Sequence, residues 1–492
     1  MGQDIGEVRF TREDRQRYRE KVKRNLDVLR RMLEGGAFET QRKLIGVEVE
    51  FYVVDGDGEP MMINAELLSR LESEDFQTEL AQFNIEFNLA PHKLSDRVFA
   101  EIEEELESSF GHAHRRAREL DAHVMMIGIL PTVEDLHVTI QSLSHNRRYH
   151  LLNEQVLEAR GEDVQLDIAG EERLSLHVPS IALEAAATSV QLHLQVSAQG
   201  FARTYNAAQA ISAAQVAMGA NSPFLLGKQL WQETRIALFE QIIDTRTEEL
   251  AAQGVRPRVW FGDGWIDSVM DLFDENVRYF PALLPIVEDE DPEALLAEGS
   301  VPHLPELTLH NGTIWRWNRP VYGVARGKPH LRVENRVLPA GPTMVDTVAN
   351  AAFYVGLVRG VAELDEPIER QLPFELAARS FREAARNGIG AELYWPGPGI
   401  LPATTVVLDH LLPLAHRGLD AWRIDPAHRE HYLGIIEQRA RLGRNGAWWQ
   451  VAAHDRVRER HGLDRREALV EVTRHYMAGM RANAPVHTWE LP

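Results

Sequence analysis

The 492-residue sequence predicts an α+β fold in which helices pack on one face of a largely antiparallel sheet. Four segments alternate apolar and polar residues with the period of two that half-buried strands show. Segments with apolar residues at helical spacing lie between them. Because an antiparallel sheet commonly buries one face and leaves the other polar, the pattern predicts a sheet whose polar face forms a trough.

The first elements are a helix, a strand and a turn. Apolar residues recur at helical spacing between residues 22 and 33 and a Gly-Gly pair follows, so an amphipathic helix is predicted to end there. Residues 46–51 alternate as a strand, and the Asp-Gly-Asp-Gly sequence at 55–58 is typical of a hairpin turn. A calcium-binding EF-hand loop is excluded, since Pro60 occupies the position that needs glycine.

The later elements are predicted from the same two periods. Residues 287–299 are acidic and predict an exposed loop, and residues 401–492 are expected to be mostly helical without identifiable chemistry. The remaining predicted elements are strands at 83–89 (ended by Ala90-Pro91), 189–197 and 330–339, and helices at 95–121, 206–220 and 343–363.

Composition excludes several classes of function. The net charge of -21 argues against a nucleic-acid partner, because phosphate binding needs a basic surface. The chain has no cysteine, which excludes disulfides, thiolate metal sites and a cysteine nucleophile, and agrees with a cytoplasmic location. The mixed-charge N-terminus is not typical of a signal peptide. The longest apolar run, at about residues 124–130, is too short for a membrane span.

The strand Gly46-Val-Glu-Val-Glu-Phe51 is the most informative segment of the chain. Successive strand side chains point to opposite faces, so Glu48 and Glu50 share one face while apolar residues occupy the other. An isolated Glu-x-Glu most often only faces water. Two carboxylates held this close to each other nevertheless favour a bound cation.

Three further strands repeat this arrangement of polar residues. Solvent-facing strands usually carry Lys, Thr and Ser, whereas these faces carry residues that coordinate hard cations or clamp carboxylates and phosphates. Together the four faces predict a site for Mg²⁺ and a phosphorylated ligand. The polar sets are Asn84, Glu86 and Asn88; Gln191, His193 and Gln195; and Arg332, Glu334 and Arg336.

Other ligand-binding motifs are excluded, because the sequence lacks a residue or a spacing that each of them requires. Gly227-Lys228 lacks the upstream glycine of a phosphate loop, and Gly262-Asp263-Gly264 lacks the third glycine of a dinucleotide fingerprint. His112 and His114 lie two apart on a predicted helix, which separates their rings around the helix axis. No Gly-x-Ser-x-Gly nucleophile motif is present.

Five motifs follow one another in a specific order over roughly residues 40 to 360. They are Gly46-Val-Glu-Val-Glu-Phe51, Phe83-Asn-Ile-Glu-Phe-Asn88, the strand Val190 to Ser197, Ala220-Asn-Ser-Pro-Phe224 with Arg235 downstream, and Val333-Glu-Asn-Arg336. In these motifs and their order the sequence resembles the glutamate-cysteine ligases and related carboxylate-amine ligases of the glutamine synthetase-like superfamily.

The resemblance implies a curved, largely antiparallel sheet that lines an active-site trough, with helices on its outer face. It implies a catalytic domain at residues 1–400 and a helical extension packed on it at 401–492. Gln82 and Gln195 depart from the family pattern and leave the number of metal ions open. The implied metal ligands are Glu48, Glu50, Glu86, His193 and Glu334; the implied catalytic residues are Arg235 and Arg336; and the implied nucleotide-binding residues are Lys228, Arg332 and Gln191.

The family reaction transfers a phosphoryl group from ATP to the side-chain carboxylate of glutamate, and the amine of cysteine then attacks the acyl phosphate. The expected cofactors are ATP and Mg²⁺, with Mn²⁺ as a substitute because an imidazole ligand suits it. The expected partners are small-molecule substrates, and neither a nucleic acid nor a membrane is expected. The sequence leaves open whether the protein forms a homo-oligomer. Alternatives are a ligase that uses another amine or carboxylate, and a non-catalytic relative that binds a nucleotide or amino acid.

One aromatic segment has two interpretations. Trp315-Arg316-Trp317-Asn318-Arg319-Pro320 is rich in stacking and hydrogen-bonding groups. It either covers the adenine or phosphates of a nucleotide or forms a packed aromatic hairpin.

Overall fold

A computed structural model describes residues 10–492. Its strands are β1 Leu44–Val54, β2 Phe76–Thr78, β3 Asn84–Lys93, β4 His123–Met125, β5 Val164–Ala169, β6 Arg173–Val178, β7 Ser189–Val196, β8 Phe224–Leu225, β9 Lys228–Gln229, β10 Val259–Trp260, β11 Trp315–Arg316, β12 Asn318–Ala325, β13 Lys328–Pro339, β14 Glu392–Trp395 and β15 Gly399–Pro402. Its helices are α1 Arg12–Glu34, α2 Asn64–Leu71, α3 Val98–Arg118, α4 Arg147–Arg160, α5 Phe201–Gly219, α6 Thr234–Ile242, α7 Glu248–Ala252, α8 Val269–Tyr279, α9 Pro292–Ala297, α10 Pro305–Gly312, α11 Met344–Ala362, α12 Ile368–Gln371, α13 Phe374–Asn387, α14 Ala403–Thr405, α15 Leu412–Ala421, α16 Pro426–Leu442, α17 Gly446–His461 and α18 Arg465–Arg481.

Seven strands form the main sheet, in the order β12-β13-β7-β1-β3-β2, with β4 paired to the end of β1. Every neighbouring pair in this sheet is antiparallel. The sheet curls into a half-barrel, and its concave face carries the polar residues. The predicted α+β fold with a curved, largely antiparallel sheet is therefore confirmed.

Apolar residues on the convex face of the sheet pack against the helices. In β1, Val47, Val49 and Phe51 are at most 2% exposed, which is the burial that the alternation predicts. Helix α5 contacts β13, α11 contacts β7, and α3 contacts β3. Side-chain burial of this kind contributes about 1.5–3 kcal/mol for each large apolar residue.

Several element boundaries differ from the sequence prediction, and two of these differences have a local cause. The strand predicted to end at Ala90-Pro91 continues to Lys93, because a bulge opposite Gly46 accommodates a proline that cannot donate a ladder hydrogen bond. The acidic loop at 287–299 contains the short helix α9, which Asp291 caps and Pro292 begins. The prediction of an exposed loop used only the charge of this segment, so it missed the N-cap Asp291 and the Pro292 that begin the helix.

The helices form a second layer where α15 and α16 pack on α11. The α11–α15 contact depends on glycine, because a Cβ at Gly418 would lie 1.9 Å from the carbonyl oxygen of Gly356. Among residues 10–492, none of the helices combines the length and apolar character that a membrane crossing requires.

Replacing Gly418 by Ala is expected to destabilise the protein by about 1–3 kcal/mol, since the added methyl group must push the two helices apart. Gly434→Ala is the matched control, because Gly434 lies within α16 and its Cβ would meet nothing within 4 Å. That control should be neutral or stabilise the helix by up to about 1 kcal/mol. Urea unfolding monitored by circular dichroism measures both, and equal effects of the two substitutions would contradict the packing argument.

Candidate active site

A cavity of about 390 Å³ opens on the concave face of the sheet. Side chains of β1, β3, β7, β12 and β13 form its floor, and residues near α4 and α6 form its walls. Strand register decides which side chains meet across the floor, because directly paired residues of an antiparallel sheet point to the same face. Glu50 pairs with Glu86, Glu48 with Gln191, and Glu334 with His193.

Three of the predicted metal ligands form one cluster, which we call the first triad: Glu48, His193 and Glu334. One ligand atom from each lies within 4.8 Å of the other two. His193 Nε2 is 2.9 Å from Glu48 Oε1 and 3.8 Å from Glu334 Oε1. Neither ring nitrogen of this buried histidine has an aligned hydrogen-bond partner among residues 10–492. A buried imidazole that lacks an aligned hydrogen bond and faces two carboxylates fits a shared cation.

The other two predicted ligands, Glu50 and Glu86, form a second triad with Glu79. Ser189 holds Glu50 in place, donating from its backbone N–H at 2.6 Å and from its hydroxyl at 2.9 Å. Asn88 donates to Glu86 at 2.9 Å. The five residues predicted as one ligand set thus fall into two neighbouring clusters, with Glu79 as a sixth member.

The second triad carries more negative charge than its surroundings stabilise. Burial, together with Glu48 and Glu50, raises the pKa of Glu86 to about 8. Burial also raises the pKa of Glu50 and raises that of Glu79 well above its ordinary value. A divalent cation is the partner that lets three such carboxylates ionise together, so the donor set fits Mg²⁺ or Mn²⁺.

Arginines surround the first triad. Arg319 clasps Glu334 with two donors, of which Nη2 lies 2.9 Å from Oε1, and Arg336 lies 3.3 Å from the same oxygen. Burial acts to raise the pKa of Glu334, but Arg319 and Arg336 outweigh it and hold that pKa well below its usual range. Gln191 links the two triads, since it donates to Glu50 at 3.2 Å and accepts from Arg336.

Arg235, which the resemblance placed at the substrate, lies elsewhere. It is 4% exposed, is not among the described residues that line the cavity, and pairs with Glu233 at 2.9 Å. Its remaining donors reach the backbone oxygens of Arg336 and Val337, at 3.4 and 2.6 Å. Through these hydrogen bonds Arg235 contacts the irregular part of β13 that carries Arg336.

Lys228 also lies outside the cavity lining. It belongs to the hairpin of β8 and β9, and its ammonium is 3.5 Å from Glu172. Arg332, in contrast, lines the main cavity and a neighbouring cavity of about 230 Å³, which His193 also lines. The Nε of Arg332 is buried and has no hydrogen-bond partner among residues 10–492, so it is free to bind an anion at the junction of the two cavities.

The aromatic segment divides between core and cavity. Trp317 is 1% exposed and packs against Phe239 and Phe381, whereas Trp315 and Arg319 line the cavity. Trp315 belongs to β11, which pairs with β10 in parallel rather than forming a hairpin.

Sequence reasoning did not identify Glu79 as a ligand, and it named Arg319 only within the aromatic segment at 315–320. Glu79 lies between β2 and β3, outside any alternating segment, so no periodic signal marks it. Gln82, one of the two departures from the family pattern, donates to the carbonyls of Gln141 and Leu143. Arg319 occupies the same face of β12 as Val321 and pairs with Glu334 across β12 and β13, a register that only the structure reveals.

Matches among solved structures include two enzymes. The glutamate–cysteine ligase of Francisella tularensis, solved in complex with AMP, superposes with a TM-score of 0.55 at 12% identity, over 93% of this chain and 91% of that chain. A bifunctional glutathione synthetase from Pasteurella multocida gives a TM-score of 0.48 at 12% identity, over 93% of this chain and 55% of that one. No curated protein sequence matches the chain.

The sequence itself matches the model of glutamate-cysteine ligase family 2 from residue 44 to residue 471. This match covers most of the chain, including both triads and much of the C-terminal helical region. The structural similarity independently supports the same fold. The protein therefore belongs to glutamate-cysteine ligase family 2.

Proposed function

We propose that the protein is an ATP- and Mg²⁺-dependent ligase that joins the side-chain carboxylate of glutamate to the amine of cysteine through an acyl phosphate. The observation that carries the proposal is the pair of acidic triads on the floor of one cavity, with Arg319 and Arg336 beside them. Family membership and the AMP complex of the Francisella tularensis ligase support a nucleotide substrate. ATP dependence and the lack of cysteine support a cytoplasmic location.

The central physical difficulty of this reaction is electrostatic repulsion. A carboxylate must approach a phosphate to within a few ångströms, and each pair of unit like charges at about 4 Å costs roughly 4 kcal/mol at an effective dielectric constant of about 20. Divalent ions held by the two triads would offset that repulsion and stabilise the phosphoryl oxygens. The protein must hold these cations and supply further positive charge.

The arginines of the cavity supply that charge from fixed positions. Glu334 and Gln191 hold Arg336, and Glu334 also holds Arg319, so neither guanidinium needs to be ordered when the substrates bind. Where the two cavities meet, Arg332 keeps one buried N–H that has no hydrogen-bond partner in the described part of the chain. We propose that these three residues bind the transferred phosphoryl group and the other ATP phosphates.

The test is a substrate panel with purified protein, ATP, Mg²⁺ and glutamate. ADP release and product mass are followed together while the amine is varied. We expect ADP release that requires both glutamate and cysteine, and fragmentation of the product should show a γ-linked amide. Glutamate-dependent turnover with a different amine would show that cysteine is not the second substrate, while the class of reaction would still hold. The absence of glutamate-dependent turnover with every amine would refute the proposal.

Lys228→Ala is expected to leave turnover and the KM for ATP unchanged, because the ammonium lies against Glu172 outside the cavity. Arg332→Ala is the comparison, and it should raise the KM for ATP, since it removes a cation that lines both cavities. Steady-state kinetics with varied ATP measures the two. A raised KM for ATP in the Lys228 variant would show that this residue contributes to nucleotide binding.

A further inference from the structure

We propose that Glu184 is the carboxylate that binds the ammonium group of the second substrate and accepts its proton as the amide bond forms. This inference rests on the proposed ligase function and adds the residue that receives the amine. Glu184 lines the same cavity as the two triads and belongs to neither.

Its backbone is fixed on both sides. Glu184 lies in the short 3-10 helix Ala182–Ala186, just before β7. At the start of this helix, the side chain of Asn153 accepts from the backbone N–H of Ile181 at 2.9 Å, and at its end the Tyr52 hydroxyl donates to the carbonyl of Ala186. The strand that follows carries Ser189, which holds Glu50. One continuous segment therefore positions Glu184 and orients a member of the second triad.

The carboxylate of Glu184 has no other assignment in the structure. The other acidic residues that line the cavity are Glu48, Glu50, Glu79, Glu86 and Glu334, and all five belong to the triads. Glu184 is half-buried. Burial raises the pKa of this carboxyl, and the nearby charges of Arg336 and Arg235 partly oppose that effect. Among residues 10–492 neither arginine forms a direct ion pair with it, so the carboxylate, which faces the cavity, can bind a cationic ligand group.

Part of the cavity wall is apolar. Ile181 and Ala185 belong to the same chain segment as Glu184, and Leu152, Phe239 and Ile243 line the same cavity. None of these side chains can bind an ammonium group or accept its proton. They suit the short, weakly polar side chain of an amino acid, which would pack there while its amine meets Glu184.

The chemical step balances with the groups already named. The substrate ammonium gives one proton to the Glu184 carboxylate, and the freed nitrogen lone pair attacks the carbonyl carbon of the acyl phosphate. A carbon–nitrogen bond forms, the bond from that carbon to the phosphate oxygen breaks, and inorganic phosphate leaves with the electron pair. The nitrogen then loses a second proton to solvent, and no oxidation or reduction occurs.

The test compares two nucleophiles in Glu184→Gln. Hydroxylamine is mostly uncharged at pH 7 and attacks an acyl phosphate without first losing a proton, so it bypasses a residue that binds and deprotonates an ammonium group. We expect the variant to lose about 100-fold or more in kcat/KM for cysteine. Its rate of hydroxamate formation from glutamate, ATP and hydroxylamine should stay at the wild-type level, as should the KM for glutamate.

Glu240→Gln is the matched control, since Glu240 is a carboxylate on α6 that faces Arg382 at 3.5 Å outside the cavity lining. Glu240→Gln should react with cysteine and with hydroxylamine at the wild-type rates. Glu184→Asp should recover part of the cysteine rate and shift its pH profile. Equal loss of both nucleophiles in Glu184→Gln, or loss of neither, would overturn the assignment. If the wild-type protein forms no hydroxamate, the proposed ligase function itself fails, so the two failures are distinct.

Discussion

Glu48→Gln is expected to abolish glutamate-dependent ADP release while leaving the fold intact. Glutamine keeps the volume of the side chain and removes the charge that faces His193 at 2.9 Å. The first triad then retains one carboxylate, Glu334, which Arg319 already occupies. Since even partners of metal ligands change activity by about 10–100-fold, loss of a ligand itself should lower turnover by at least about 100-fold.

Two measurements separate a metal role from general damage. Turnover is measured as ADP release, and metal binding as the rise in melting temperature on adding Mg²⁺ or Mn²⁺. Glu48→Gln should lose part of that rise, and its circular dichroism spectrum should match the wild type. Glu171→Gln is the control, because Glu171 is exposed in the turn between β5 and β6. Near-normal turnover of Glu48→Gln would contradict the assignment of the first triad.

The polar face of the sheet was predictable because strand alternation has a fixed period. Once residues 46–51 are a strand, Glu48 and Glu50 must share a face, and the same holds for Arg332 and Glu334. The register between strands was not predictable from one sequence, since nothing local determines which residues pair. Register is what divides the predicted ligand set into two triads.

The remaining differences concern residues outside the strands that the sequence predicts. Glu79 enters the second triad from a connection that carries no periodic pattern. The choice between arginines also depends on tertiary packing, because Arg235 turns toward Glu233 and the backbone of β13 whereas Arg319 faces the cavity. A sequence shows that an arginine is present and does not show which side of a sheet it reaches.

The predicted boundary at residue 400 stays a prediction, and we propose that the helices beyond it are an integral layer of the same folding unit. The principal contact is Arg439 of α16, which is 1% exposed. It donates to Asp346 of α11 at 2.8 Å and to Asn350 at 2.7 Å, and it also reaches the carbonyl of Met218 at the end of α5. Asp346 in turn accepts from the backbone N–H of Val486 at 3.0 Å.

Arg439→Met is expected to destabilise the protein by about 3–5 kcal/mol, because it leaves the fully buried carboxylate of Asp346 without its cation. Arg441→Met is the matched control one half-turn away, since Arg441 is exposed and, within residues 10–492, forms an ion pair only with Glu437 of its own helix at 2.6 Å. Its effect should stay below about 0.5 kcal/mol. Urea unfolding followed by circular dichroism and by tryptophan fluorescence gives both values. If residues 401–492 fold as one unit with the sheet, the two signals should shift together in Arg439→Met, whereas a separate early transition would show that the C-terminal helices unfold on their own.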